Sequence, residues 1–242
     1  METLQNKEEA LTKLDNYLVE CINTDKIHSK KANLISYWIK NFTDYQMQEE
    51  TFNSSYLKEY KRGDIIKVNL GFRIGNEEGG LHYCVVLDKK NAKQHSTLTV
   101  IPLTSQKDGK KINSTSVLLG NEIYISILSK ANSLLKELDR EKISENEDKL
   151  SYASINDDFS NIKKEDIEYY KKITKKIAFI EKMLEEIKDM KKGSIALINQ
   201  ITTISKQRIY NPKKDVDILS EITLSEEKMN LIDEKLKKLY LN

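Results

Sequence analysis

The spacing of apolar residues changes twice along this chain, and each change predicts a different kind of element. Leu11, Leu14, Leu18 and Cys21 fall at i, i+3, i+7 and i+10, which predicts a first helix with one apolar face, ending near Asn23. A second helix, Ser29 to Gln48, carries Leu34, Ile35, Trp38, Ile39 and Phe42 as a broad stripe that includes the only tryptophan. The two helices are expected to pair and lean on the core of the protein, to which a linker with Asn53, Ser54 and Ser55 connects them.

From Arg62 to Ser105 the helical period is gone. Three short runs rich in β-branched residues, Asp64–Leu70, Tyr83–Leu87 and Thr97–Leu103, predict a small antiparallel β-domain. The first two are joined by a loop carrying Gly71, Gly75, Gly79 and Gly80, residues used where a backbone reaches positive φ or approaches another group closely.

The helical period then returns as two heptad seams. Tyr124, Leu128, Ala131, Leu135 and Leu138 form one; Tyr170, Ile173, Ile177, Ile180, Leu184 and Ile187 form the other. The stretch between them, Glu141 to Asp166, is polar and acidic with a turn-like Asn156-Asp157-Asp158, so two antiparallel helices joined at a long tip are expected, their heptads burying mainly each other. Gly193 closes the second. A last helix, Ser225 to Tyr240, has Ser225 as N-cap and Leu224, Met229, Ile232, Leu236 and Leu239 on one side.

Composition narrows the class. A charged fraction of 32% with two prolines fits a mixed protein with much helical surface. Cys21 and Cys84 lie far apart, and Cys84 falls in a predicted strand, so both read as reduced packing residues. The start, METLQNKEEALTKL, has no apolar signal core, and the chain has no run of eighteen apolar residues, so a cytoplasmic protein that does not span a membrane is expected. Net charge is +2, unevenly spread: residues 61–119 hold ten Lys and Arg against five Asp and Glu, the rest 30 against 33. The β-region is therefore the basic part, which favours a polyanionic partner. Three histidines and two cysteines form no metal-ligand spacing, and neither a phosphate-cradling glycine-lysine loop nor a dinucleotide fingerprint is present. No metal and no cofactor is expected.

The β-region also carries a family resemblance. "RGDI" at 62–65, "IGNEEGG" at 74–80 and "PLTS" at 102–105 resemble, in this order, the MazF/PemK family of toxin endoribonucleases, and "SIALINQITTISKQRI" at 194–209 is similar to that family's later strand and the turn after it. The resemblance implies an α+β fold: a small SH3-like antiparallel β-barrel in two parts, 61–120 and 193–242 with its terminal helix, extended by the helical pair 1–60 and interrupted by the helical arm 121–192. It also implies a homodimer, an antitoxin protein as partner, and single-stranded RNA as substrate, cleaved without metal by attack of the 2′-OH on phosphate.

Such cleavage needs a group to take the 2′-OH proton, one to protonate the departing 5′-oxygen, and donors for the charge developing on phosphate. The family's arginine just after the paired glycines is replaced by His82 in Gly79-Gly80-Leu81-His82-Tyr83. An imidazole both accepts and donates a proton, whereas a guanidinium is a fixed clamp. His82 is thus the candidate acid/base, with Thr104 at the family's hydroxyl position and Ser105 beside it. Arg73, Glu77, Lys107, Lys110, Lys111 and Arg208 are the candidate RNA contacts, Glu78 a lesser one, and His28 and His95 are assigned no role. Loss of the arginine leaves two alternatives open: a core of this fold that binds nucleic acid or protein without cleaving, and an assembly protein dominated by its arm.

Overall fold

A computed structural model describes residues 2–106, 109, 112–144, 164–190 and 193–241. It is an α+β fold with five described helices and a seven-stranded antiparallel sheet. The strands are β1 (Ile65–Asn69), β2 (Leu81–Val86), β3 (Thr97–Ser105), β4 (Ser116–Gly120), β5 (Ser194–Leu197), β6 (Thr202–Ser205) and β7 (Ile209–Asn211). Their order is β4-β5-β3-β2-β1-β7, with β6 also on β3. A 3-10 turn, Lys206–Arg208, carries the chain from β6 on β3 to β7 on β1, so the sheet curls upon itself.

Period-2 alternation sorts the strand residues into two cores. Ile66, Val68, Cys84, Val86, Leu98 and Val100 turn inward and meet Ile204, Ile209 and Tyr60. Ile65, Val85, Ile101 and Leu103 turn the other way, onto helices. Lys206 is only 1% exposed. Its ammonium donates to the carbonyls of Ala92 at 3.0 Å and Lys93 at 3.4 Å, and burial lowers its pKa. This lysine is a strut that ties the β2–β3 loop to the 3-10 turn.

Helices α1 (Glu2–Thr24) and α2 (Lys26–Gln48) pack on each other. The second begins three residues earlier than its apolar stripe suggests because Asp25 caps it, accepting from the N–H groups of Ile27 and His28, both at 2.8 Å. Its stripe is only partly covered. Leu34 and Phe42 remain 49% and 46% exposed, while Trp38 lies against the glycine loop.

Helices α3 (Glu122–Ser144) and α4 (Lys164–Asp189) leave and re-enter the sheet between β4 and β5, which are themselves paired, and pack on each other. The expected tip around Asn156-Asp157-Asp158 lies outside the described residues. At the root the heptads do more than bury each other: Ile123, Ile127, Ala131, Met183 and Ile187 join the core with the sheet and with α5 (Glu226–Tyr240). Facing the sheet as well as a neighbour turns the buried side, so Met183 is enclosed while the seam residue Leu184 is exposed. Glu186 of α4 fixes this root, accepting from Lys67 Nζ at 2.6 Å and from the Tyr83 hydroxyl. No helix among the described residues is long and apolar enough to cross a membrane.

Candidate active site

β2 is paired with β1 along nearly its whole length, from Ile65↔Val85 to Asn69↔Leu81, but with β3 only from Cys84↔Pro102 to Val86↔Val100. Beyond Pro102, β3 pairs through Leu103, Thr104 and Ser105 with β5 on its other edge. The ends of β2 and β3 therefore part, and His82 stands in the opening. Its Nδ1 lies 3.1 Å from the Leu103 carbonyl oxygen, and its Nε2 lies 3.2 Å from Glu78 Oε1. A carbonyl only accepts, so Nδ1 carries the hydrogen of that bond. Nε2 faces a carboxylate, and that contact is attractive only with a proton between the two. His82 and Glu78 thus form a histidine–carboxylate pair, with side chains 26% and 24% exposed.

The loop that supplies Glu78 is closed by its backbone. Leu70 N–H donates to the Gly80 carbonyl and Gly80 N–H to the Gly71 carbonyl, each at 2.7 Å. This neck needs glycine, since a Cβ on Gly79 would stand 2.7 Å from the Gly71 oxygen. Gln200, in the 3-10 turn after β5, holds the loop from outside: its Oε1 accepts from Glu78 N–H at 2.8 Å and its Nε2 donates to the Asn76 carbonyl at 3.0 Å. His82, Thr104 and Ser105 line one depression of about 230 Å³, walled by Tyr83 and, from the root of the arm, Ile123 and Met190.

A second and larger pocket, about 590 Å³, opens between α2, the glycine loop and the Lys206–Arg208 turn. Arg208 donates through Nε to the Asn69 carbonyl at 2.8 Å, and its guanidinium lies over the Trp38 ring, 5.4 Å from the centroid. Arg73 donates through Nε to the Leu70 carbonyl at 3.2 Å, and a terminal nitrogen is 3.9 Å from Glu77 Oε2. Burial, and then the charge of Arg73, lowers the pKa of Arg208. Leu81 lines both pockets.

Residues 61–158 match the family described as PemK-like, MazF-like toxin of type II toxin-antitoxin system. This match supports a MazF/PemK assignment for the segment it covers. The match takes in β1 to β4, the glycine loop, His82, Thr104 and α3. It ends before β5 to β7, where the likeness of 194–209 rests on the motif alone. No curated protein matches the chain.

Across the matched segment and the strands that follow the arm, the residues singled out from sequence fall into two groups. His82, Thr104 and Ser105 come together in the smaller pocket; Arg73, Glu77 and Arg208 line the larger one. Lys107, Lys110 and Lys111 lie outside the described residues. Of the two loop glutamates it is Glu78 that meets His82, while Glu77 turns to Arg73. Gln200, which holds the loop, and Trp38 and Tyr45, which line the larger pocket, belong to no motif that would mark them as site residues. A signal for Glu78 existed in its i, i+4 spacing from His82; none existed for Gln200, which comes from 122 residues away.

Proposed function

We propose that this MazF/PemK-family chain is a toxin-type endoribonuclease that cleaves single-stranded RNA without metal. The 2′-oxygen forms a bond to phosphorus, the bond from phosphorus to the 5′-oxygen breaks, one proton leaves the 2′-OH and one is delivered to the 5′-oxygen. The observation that carries the reading is His82, at the position of the family's arginine, in one depression with the Thr104 hydroxyl and 3.2 Å from the Glu78 carboxylate: two groups able to exchange protons, with a hydroxyl donor beside the histidine. Ser105 is placed as a second donor at that depression. Arg73, Glu77 and Arg208, with Lys107, Lys110 and Lys111, are the RNA contacts of this reading. It places the enzyme in the cytoplasm as a homodimer restrained by an antitoxin, with 1–60 and 121–192 as additions to a core formed by 61–120 and 193–242.

The test is cleavage of long single-stranded RNA in excess chelator by wild type, His82→Gln and Thr104→Ala. Cleavage that His82→Gln abolishes supports the reading; equal cleavage by wild type and His82→Gln overturns the role of His82. One observation favours a second reading, RNA binding without cleavage: both ring nitrogens of His82 already face protein acceptors. RNA binding by all three proteins with cleavage by none would decide for it.

A further inference from the structure

The larger pocket has a wall that the family match does not include. Tyr37, Trp38 and Tyr45 come from α2, ahead of the matched residues 61–158. Arg73 and Arg208, from the loop and the 3-10 turn, line the same pocket. Trp38 is seated against Gly71, whose Cβ, if it had one, would lie 2.7 Å from the indole ring. It also leans on Tyr45, centroid to centroid 6.4 Å. Arg208 is bonded to Asn69 and laid over the indole. The aromatic and guanidinium planes are therefore held before any ligand arrives.

We propose that this pocket holds one unstacked nucleobase of a single-stranded RNA, laid against Tyr37 and the Arg208–Trp38 stack with Arg73 at its side, as a subsite beside the His82 depression. Four observations carry it. Planar aromatic and guanidinium groups are what a splayed base stacks on. The cavity of about 590 Å³ has the size of a small-ligand site. Two guanidiniums face one nearby carboxylate, Glu77, which is 58% exposed, so the lining favours an anionic ligand over a neutral or basic one. Leu81 lines this pocket and the His82 depression, so the two adjoin at that residue, as neighbouring subsites along one strand would. The inference rests on the endoribonuclease reading for its substrate, but not for its test.

Trp38 is the only tryptophan, so the full-length protein reports on this pocket by its own fluorescence. Titration with AMP, GMP, CMP and UMP should give saturable quenching with at least one of them, and ribose 5-phosphate at the same concentrations should give none. Tyr37 is exposed on α2, and Tyr37→Ala should weaken the quenching ligand about tenfold, as should Arg73→Ala, with helical circular dichroism unchanged. A single-stranded RNA of roughly ten nucleotides, added to His82→Gln so that nothing is cleaved, should quench as well. Quenching by ribose 5-phosphate equal to that by nucleotides would make this a phosphate site and overturn the proposal. So would the absence of quenching by mononucleotides and RNA alike, which would leave the groove to a protein partner, or an unchanged affinity in Tyr37→Ala. Quenching without cleavage by wild type counts against the nuclease reading alone; cleavage without quenching counts against the base pocket alone.

Discussion

Glu78 Oε1 stands 3.2 Å from His82 Nε2, across the mouth of the glycine loop. A carboxylate at that distance orients the ring, and in the proposed cleavage the pair would serve the proton transfer to the departing 5′-oxygen. The two residues then act as a unit, and their variants should not add. His82→Gln is expected to lower the single-turnover cleavage rate about a hundredfold or more. Glu78→Gln should lower it about tenfold, and the double variant should be little slower than His82→Gln. Wild-type rates in Glu78→Gln would remove Glu78 from the mechanism.

Gly71 separates two reasons for glycine. Its φ is +80°, and an added Cβ would meet the Trp38 ring at 2.7 Å, whereas Gly75 has φ +63° and open space around it. Gly75→Ala should cost only the left-handed strain, about 1 kcal/mol. Gly71→Ala adds a clash with a ring seated on a helix and should cost about 2–3 kcal/mol in urea unfolding, with a shifted Trp38 emission. Equal losses would mean that α2 gives way freely and does not brace the loop.

The root of the helical arm is predicted to matter to the β-core through Glu186. Removing its carboxylate leaves the ammonium of Lys67 and the hydroxyl of Tyr83 without that acceptor. Lys67 and Glu186 are about a fifth exposed, so solvent recovers part of the loss; Glu186→Ala should cost about 1–2 kcal/mol, and Glu186→Gln less. A Lys67→Met/Glu186→Ala cycle should show coupling of about 0.5 kcal/mol or more. Additive losses would show that this contact does not join arm to sheet.

Much of the fold was legible because its periodicities are long. The two heptad seams, the capped last helix and the β-runs around the glycine loop each repeat a pattern over enough residues to outvote local noise. Strand β4 does not show in the apolar pattern, and Ser194–Ile209, which reads as a strand and a turn, holds β5, β6 and the first residue of β7, strands of three or four residues with 3-10 turns between them. Runs that short hold no countable period. In the site, the order of motifs pointed to His82 and Thr104. What it did not carry was tertiary: which loop glutamate faces the imidazole, that Gln200 holds the loop, and that Trp38, read as one residue of a packing stripe, forms a wall of the arginine pocket.

Cys84 sets the expected alkaline behaviour. Its thiol is fully buried in β2 and faces Ile66 across the strands, and burial raises its pKa far above the ordinary value of about 9. In the unfolded chain the thiol ionises near that ordinary value; in the folded chain it keeps its proton. Above about pH 9 the unfolded state therefore binds fewer protons than the folded one, and stability falls as pH rises, by at most about 1.4 kcal/mol per pH unit. Lys130 and Lys206, whose amines burial lowers, work in the opposite direction below the ordinary lysine value, so the total slope mixes signs. A comparison of slopes removes them. Cys84→Ala will be less stable at pH 7 because it empties part of the inner core, but its stability should fall less steeply between pH 8 and 10 than that of wild type, so the gap between the two narrows. Urea unfolding under reducing conditions at half-unit steps measures this. Parallel curves for the two proteins would show that the thiol reaches solvent in the folded state, and that the inner core at β2, next to His82, is open rather than dry.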